Sequence, residues 1–275
     1  MQSSLEDHLG DIIRKARMMH GIARAAAAVA AGLTEPELAV LEETGAAPAG
    51  LNLGALADAL GLDPTKLKAI ADGWVPAQRE LSTWRNLERI RTASGSNTVN
   101  SYLIWDESAS VAALFDPGWQ AEPAIDVLQR NRLELKYIFV THSHRDHVAA
   151  LGRIRASFPL AQVYSWPGLR YPAQARGASP VIMLGRLKIS TRLTPGHAED
   201  AVTYIIENWP GDPPAVAIVG DALFAGSIGW GFSSWTQARQ SVREQILTLP
   251  DETLICPGHG PVTTVGEEKR SNPFF

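Results

Sequence analysis

The sequence predicts an α/β protein preceded by a small all-α unit. From residue 81 onward, β-branched and aromatic runs alternate with helical apolar patterns, as strands interleaved with helices do. Residues 1 to about 72 instead repeat apolar side chains at helical spacing throughout. Gly73 to Glu80, with Pro76 and Gln78, interrupts the helical pattern and separates the two textures. We therefore expect a helical unit with its linker over 1–80 and an α/β unit over 81–275, each with its own core.

At 275 residues and 45% hydrophobic content, the chain has enough apolar surface for two domains. No apolar run approaches the ~20 residues that span a bilayer, so no membrane association is expected. The N-terminus lacks the basic, apolar and cleavable series of a secretory signal, and Cys256 is the single cysteine. A cytoplasmic protein is the expectation. The net charge of −4 is unevenly placed: residues 1–80 carry 7 Lys and Arg against 11 Asp and Glu. That imbalance disfavours phosphate backbones at the helical unit.

Within that unit, Leu9, Ile12, Ile13 and Ala16 make the first apolar stripe, and Ile22 to Ala31 a second helix that stops at Gly32. Thr34-Glu35-Pro36-Glu37 is a helix start, with a Thr cap, Pro in the first turn and Glu completing a capping box. Leu38 and Leu41 face inward on that helix. Leu56, Ala57, Leu60 and Leu62 mark a further helix, and Asp63-Pro64 opens another carrying Leu67 and Ile70. Ala28, Ala31, Gly32, Leu33, Leu38, Leu41 and Glu42, then Leu56-Ala57 and Leu60-Gly61-Leu62, resemble the Cro/C1-type (XRE) helix-turn-helix family. The resemblance implies DNA as a possible partner. The would-be recognition helix, Thr34 to Thr44, carries Glu35, Glu37, Glu42 and Glu43 and no Lys, Arg, Asn or Gln, which disfavours it. Dimerisation or partner binding is the alternative use, and a homo-oligomer is expected.

In the second unit, Leu87 to Arg91, Val99 to Trp105 and Val111 to Phe115 read as strands, and Asp116-Pro117-Gly118 as a turn. Glu122 to Arg132 follows as a helix, with Ile125 and Leu128 inward. Tyr137-Ile138-Phe139-Val140 is a buried strand leading to Thr141-His142-Ser143-His144-Arg145-Asp146-His147, beyond which an apolar helical pattern begins. Imidazole and carboxylate together suit zinc, iron or manganese. On an extended segment His142 and His144 share a face and can grip one ion, while Asp146 and His147 point elsewhere and can grip a second. Later strands are expected at Gln162–Ser165, Val181–Leu184, Leu187–Thr191, Val202–Glu207, Ala215–Val219 and Thr253–Cys256, with a helix at Gln237–Leu247. Three of these strands end in ligand-type residues: Gly196-His197, Gly220-Asp221 and Gly258-His259. With the first loop they account for all five histidines after residue 80. Cys256, three residues before His259, reads as a buried packing residue.

The pattern His-x-His-x-Asp-His, then Gly-His, Gly-Asp and Gly-His, resembles the metallo-β-lactamase fold superfamily over essentially all of 81–275. The resemblance implies an αββα sandwich with two divalent ions, zinc first, iron or manganese as alternatives. It assigns His142, His144 and His197 to one ion, Asp146, His147 and His259 to the other, and Asp221 to both. Asp146 and Asp221 are the catalytic carboxylates, and Asp116 is implied to orient the first metal loop. Gly220 to Gly229 and the segments Pro257 to Pro261, Gly266 to Lys269 and Asn272 to Phe274 resemble the glyoxalase II-like branch. That branch implies hydrolysis of a carbonyl ester or thioester by water activated between two cations.

Two features depart from the branch. Trp230 stands where glutathione-thioester hydrolases carry a Lys or Arg, and Ala198-Glu199-Asp200-Ala201 follows His197. Trp230, Phe232 and Trp235 offer an aromatic wall to a small-molecule substrate with an apolar portion. Two alternatives accompany the hydrolase: a mononuclear iron persulfide dioxygenase of the same fold, and a transcriptional regulator or ligand sensor using the metal domain.

Overall fold

The computed structural model describes residues 5–165 and 181–275. Five helices come first: α1 (Leu9–Met19), α2 (Arg24–Ala31), α3 (Glu35–Thr44), α4 (Leu53–Ala59) and α5 (Pro64–Ala71). Their starts follow the local chemistry. His8 with Asp11 closes a capping box on α1, as Thr34 with Glu37 does on α3, while Asn52 and Asp63 cap α4 and α5. Gly32 and Gly45 end α2 and α3 at φ of 69° and 72°, where a glycine is least strained.

The α/β region follows in the order β1 (Leu87–Ser94), β2 (Asn97–Asp106), β3 (Val111–Phe115), α6 (Glu122–Arg130), β4 (Glu134–Phe139), α7 (Arg145–Val148), α8 (Leu151–Ser157) and β5 (Gln162–Tyr164). Then come β6 (Ile182–Leu184), β7 (Leu187–Leu193), β8 (Val202–Glu207), β9 (Val216–Gly220), α9 (Trp235–Ser241), β10 (Leu254–Pro257), β11 (Thr263–Thr264) and α10 (Val265–Ser271). α9 starts two residues before the expected helix because Ser234 caps the Gln237 N–H, and it runs on as a π turn over Val242–Ile246. α10 was not anticipated from the sequence, and its start is a Thr264 cap on the Glu267 N–H.

Among the described residues the strands form two sheets, ordered β1-β2-β3-β4-β5 and β11-β10-β9-β8-β7-β6. The period of two along each strand sorts the layers. Tyr102, Phe115 and Phe139 of the first sheet face Tyr204, Ile218 and Cys256 of the second, making the core between the sheets. Their neighbours Leu103, Leu114 and Ile138 point the other way, onto Ala124, Leu128 and Ile154 of α6 and α8. Ala217, Val219 and Ile255 of the second sheet point onto Ala238, Val242 and Ile246. The layering is therefore α/β/β/α, with the α1–α5 helices added to the layer over the second sheet.

The helices do not close a core of their own. Ile12, Leu38, Leu56, Leu67 and Ile70 belong to one apolar cluster with Leu223, Ile228 and Phe274 of the α/β region. Polar bonds join the same surfaces: the Asp63 N–H donates to Pro273 O at 2.8 Å, and Lys66 Nζ donates to Phe275 O at 2.9 Å. The reason lies in the segment after β9. Ala222, Leu223, Phe224, Ala225 and Ile228 are apolar and buried, and so need a cover that the second sheet does not supply. Ile70 and Trp74 press so closely on Gly226 that a Cβ there would collide with both. No helix among the described residues is long and apolar enough to cross a membrane.

Candidate metal centre

Every strand-end loop singled out in the sequence converges at one end of the two sheets. His142 and His144 follow β4, and Asp146 and His147 lie in α7, whose N-cap is His144. His197 sits between β7 and β8, Asp221 directly after β9, and His259 two residues after β10. Asp116, directly after β3, fastens the first loop. Its Oδ1 accepts from Thr141 N, and its Oδ2 accepts from Thr141 Oγ1, both at 2.7 Å. The same Oδ2 lies 2.8 Å from His147 Nδ1 and accepts its proton. That bond fixes Nδ1 as the donor and turns Nε2 of His147 inward.

The ligand atoms fall into three overlapping groups: His142, His144 and His197; His142, His147 and Asp221; and Asp146, His147 and His259. Within each group they lie within 4.8 Å of one another. Asp221 stands between the sets. Its Oδ2 is 3.5 Å from His197 Nε2 and 3.4 Å from His259 Nε2, and its Oδ1 is 3.3 Å from His147 Nε2. His259 Nε2 is also 3.3 Å from Asp146 Oδ2. Two further ring nitrogens are held by backbone, Nδ1 of His197 by Trp230 O at 2.9 Å and Nδ1 of His259 by Thr98 O, and Nδ1 of His142 lies 3.1 Å from the Thr141 hydroxyl.

Two observations show that these residues fit metal ions. His147 Nε2 and Asp221 Oδ1 are buried and face each other, yet neither makes a well-aligned hydrogen bond. Such orphaned pairs are costly unless something binds them. The electrostatics agree. Burial alone would raise the Asp221 carboxyl, but His147 and His259 hold it well below the usual carboxylate range. Burial works against charge on His147 and His259 too; Asp221, joined by Asp116 at His147 and by Asp146 at His259, outweighs it and pushes them up to about 10 and about 11. His142, by contrast, is driven well below its ordinary value by burial and by the neighbouring His147. The cluster thus draws positive charge to Asp221 while the neighbouring His142 stays neutral, which suits displacement of protons by cations. Close approach is built into the backbone: a Cβ on Gly258 would collide with Asp221 and His147.

A pocket of about 410 Å³ opens over the site. Trp230 and Phe232 line it, stacked at 6.3 Å with 17° between their planes, and Phe232 lies 5.4 Å from the His197 ring. Trp235 is a correction to the aromatic wall. It opens α9 as the residue after the cap, and that position turns its ring onto His20 and Phe274, at 5.9 and 5.6 Å.

The pocket also contains residues that the sequence reading missed. Glu6, Asp7 and Lys15 line it from the N-terminal unit, together with Asn97 and Phe224. The Lys15 side chain is 1% exposed; its Nζ donates to Asp7 Oδ2 at 2.5 Å and to Ile228 O at 2.6 Å. It stands over the rings of Phe224 and Trp230, 5.5 and 5.6 Å from their centroids. A cation therefore does reach Trp230, from 215 positions upstream, but its charge is already paired. One signal was available: Lys15 falls three residues after Ile12, inside the apolar stripe of α1, where an unpaired lysine would not remain.

Fold and site together define an α/β/β/α sandwich with a candidate two-ion centre at its edge. Residues 95–209 match the metallo-beta-lactamase superfamily. The chain is 30% identical over 201 residues to hydroxyacylglutathione hydrolase GloC of Haemophilus influenzae, an alignment covering 64% of this chain and 92% of that protein. The chain belongs to the metallo-beta-lactamase superfamily. Among solved structures, ETHE1 from Myxococcus xanthus is similar with a TM-score of 0.57 and 31% identity, over 68% of this chain and 83% of its own. TTHA1623 in a di-iron-bound form is similar with a TM-score of 0.53 and 27% identity, over 68% of this chain and 100% of its own.

Proposed function

We propose that the protein is a metal-dependent hydrolase of carbonyl esters or thioesters whose acyl or leaving part packs on Trp230 and Phe232. The observation that carries this reading is the pair of ligand sets joined through Asp221, with buried polar atoms left over for ions. Two divalent ions bound there would polarise a carbonyl and lower the pKa of water between them from ~15.7 to about 7. Zinc is the first candidate; iron is the alternative, since a similar protein, TTHA1623, is seen in a di-iron-bound form.

The chain's own residues do the positioning. Asp116 keeps the His147 proton on Nδ1 and so keeps Nε2 available. The Trp230 carbonyl does the same for His197. Asp146 and Asp221 supply the carboxylate oxygens, Asp146 being the less enclosed of the two. No serine or cysteine nucleophile is needed: Cys256 is fully buried between the sheets, and its thiol is pushed beyond the ordinary range by that burial. We read the helical unit as part of this site rather than as a DNA reader. Of the four glutamates on α3, Glu42 turns inward to Arg17 and Arg24, which leaves Glu35, Glu37 and Glu43 on a face without bases of its own.

The test is metal quantification on the purified full-length chain together with a panel of thioester, lactone and phosphodiester substrates. Two divalent ions per chain and metal-dependent thioester or ester turnover is the expected result. One iron per chain with oxygen uptake and no ester or thioester turnover would replace hydrolysis with oxygenation.

A further inference from the structure

Two pockets meet at His144 and His197. The one of about 410 Å³ runs toward the lead-in of α1, and a second of about 730 Å³ opens past His197. Carboxylates outside the ligand groups line both: Glu6 and Asp7 in the first, Glu199 and Asp200 in the second. Among the described lining residues, one Lys or Arg stands against these four, and that is Lys15, already bonded to Asp7 and Ile228 O. Leaving the ligand residues aside, the described lining residues carry a formal charge of −3. Arg91 acts on Glu6 from outside and lines neither pocket.

The ligand cluster acts in the other direction once loaded: divalent ions held by Asp221 and its histidines would place positive charge at the centre. A polar carbonyl is thus drawn to the centre, while the rim around it repels anions. Between the two lie aromatic faces, and Phe232 keeps 68% of its surface exposed beside Trp230. Aromatic faces ringed by carboxylates are the surroundings in which ammonium groups are held, by charge at the edge and by the ring quadrupole in the middle.

We propose that the site selects esters or thioesters carrying a positively charged amine or quaternary ammonium group, and turns away anionic ones. This rests on the hydrolase reading above and narrows its substrate class. Glu6 and Glu199 are the specificity-determining residues, because both are exposed at the rim and neither belongs to a ligand group. Asp7 is excluded from that role by its bond to Lys15.

The experiment measures binding of two small thiols, cationic thiocholine and anionic 3-mercaptopropionate, to the zinc-loaded full-length protein by calorimetry. It is repeated with Glu6→Lys, Glu199→Lys and the milder Glu6→Gln and Glu199→Gln. The same proteins are assayed for hydrolysis of acetylthiocholine and of a glutathione thioester. Each charge reversal should lower the thiocholine-to-mercaptopropionate affinity ratio by about tenfold and each neutralisation by roughly half of that on a logarithmic scale, with both effects shrinking as salt rises. If the ratio moves as stated while no ester or thioester is turned over, the charge selection stands and the hydrolase reading falls. A wild-type enzyme that prefers the glutathione thioester, or a ratio unmoved by both charge reversals, overturns the selection and leaves hydrolysis untouched.

Discussion

The wall of the pocket that carries the candidate metal ligands hangs from strand ends that Asp116 ties together through three hydrogen bonds of 2.7, 2.7 and 2.8 Å. The facing wall is the lead-in of a helix, held by the Lys15–Asp7 pair and by the hydrogen bond from Ser227 Oγ to Asp7. The first wall is made of loops whose backbone positions are over-determined by two sheets. The second depends on a few contacts of Lys15 and Asp7, two of which, Lys15 to Ile228 O and Ser227 Oγ to Asp7, reach across more than 200 positions of sequence. The difference teaches where each kind of change should act: on chemistry in the first wall, and on stability and choice of substrate in the second.

The sharpest break of the first wall is Asp221→Ala, with His144→Ala beside it. Loss of one ligand removes several kcal/mol of charge stabilisation, about a thousandfold in turnover or more. The sheets that form the core are untouched, so circular dichroism and the cooperative unfolding transition should be retained. Asp221→Ala with full turnover and two ions per chain would overturn the shared-ligand assignment. Asp116→Ala should act one step removed, lowering metal affinity about 10–100-fold because the His147 ring loses its orientation.

Removing residues 1–72 breaks the second wall completely. Since the apolar cluster is shared, the remaining chain would expose Leu223, Ile228 and Phe274 to water. We expect aggregation, or a chain without a cooperative unfolding transition, when purified material is heated in a calorimeter. A soluble, active residue 73–275 fragment would show that the helices merely decorate the sandwich.

How legible the two walls were in the sequence follows the same division. The candidate metal ligands stand in short motifs beside strand ends, and local spacing alone carried His142, His144, Asp146 and His147 to one loop. His197, Asp221 and His259 were legible because each follows a buried strand and a glycine that permits close approach. The α/β/β/α layers were implied by resemblance, and the period of two in β4 and β9 sorts their faces. The second wall was not legible, because its contacts are non-local. Lys15 has no motif; only its place in the apolar stripe of α1 betrays a buried partner. Nearness in sequence misled at Trp235, which the Ser234 cap carries into a helix and away from Trp230. The shared core was missed for a related reason: Gly73 to Glu80 does interrupt the helical pattern, but a break in pattern says nothing of what packs on either side of it.

A subtler test of the second wall is Lys15→Met. It leaves Asp7 without its cation at a site where the lysine is 1% and the aspartate 13% exposed. Breaking such a pair costs about 3 kcal/mol, the lower end of the range for buried pairs because Asp7 keeps some water. Pairing the change with Asp7→Asn should recover part of the loss, read as a shift in melting temperature. Additive losses would mean that the two side chains do not act as a pair.

The smallest effect concerns the joint between the walls. Glu268 is buried in α10; its Oε2 accepts from Gly226 N at 3.0 Å and Asn272 Nδ2 at 2.8 Å, and its Oε1 from Thr263 Oγ1 at 2.8 Å. Burial raises its carboxyl from 4.5 to about 7, against the pull of Asn272, Thr263 and the Gly226 N–H, with Glu267 adding to the rise. The folded state therefore holds this proton more tightly than the unfolded chain does. Its contribution to stability is fully present below pH 4.5 and is lost as pH rises through about 7, on the order of 3 kcal/mol at most. Glu268→Gln keeps the carbonyl acceptor for Gly226 and Asn272 and turns its amide toward the Thr263 hydroxyl, but it carries no proton to lose. In zinc-loaded protein, the melting temperature of Glu268→Gln should therefore gain on the wild type steadily between pH 5 and 7 and run parallel to it above about 8. Curves that stay parallel across the whole range would show that Glu268 is already charged at the lower pH, and that the loop bearing Asp221 rests on a carboxylate rather than on a neutral acid.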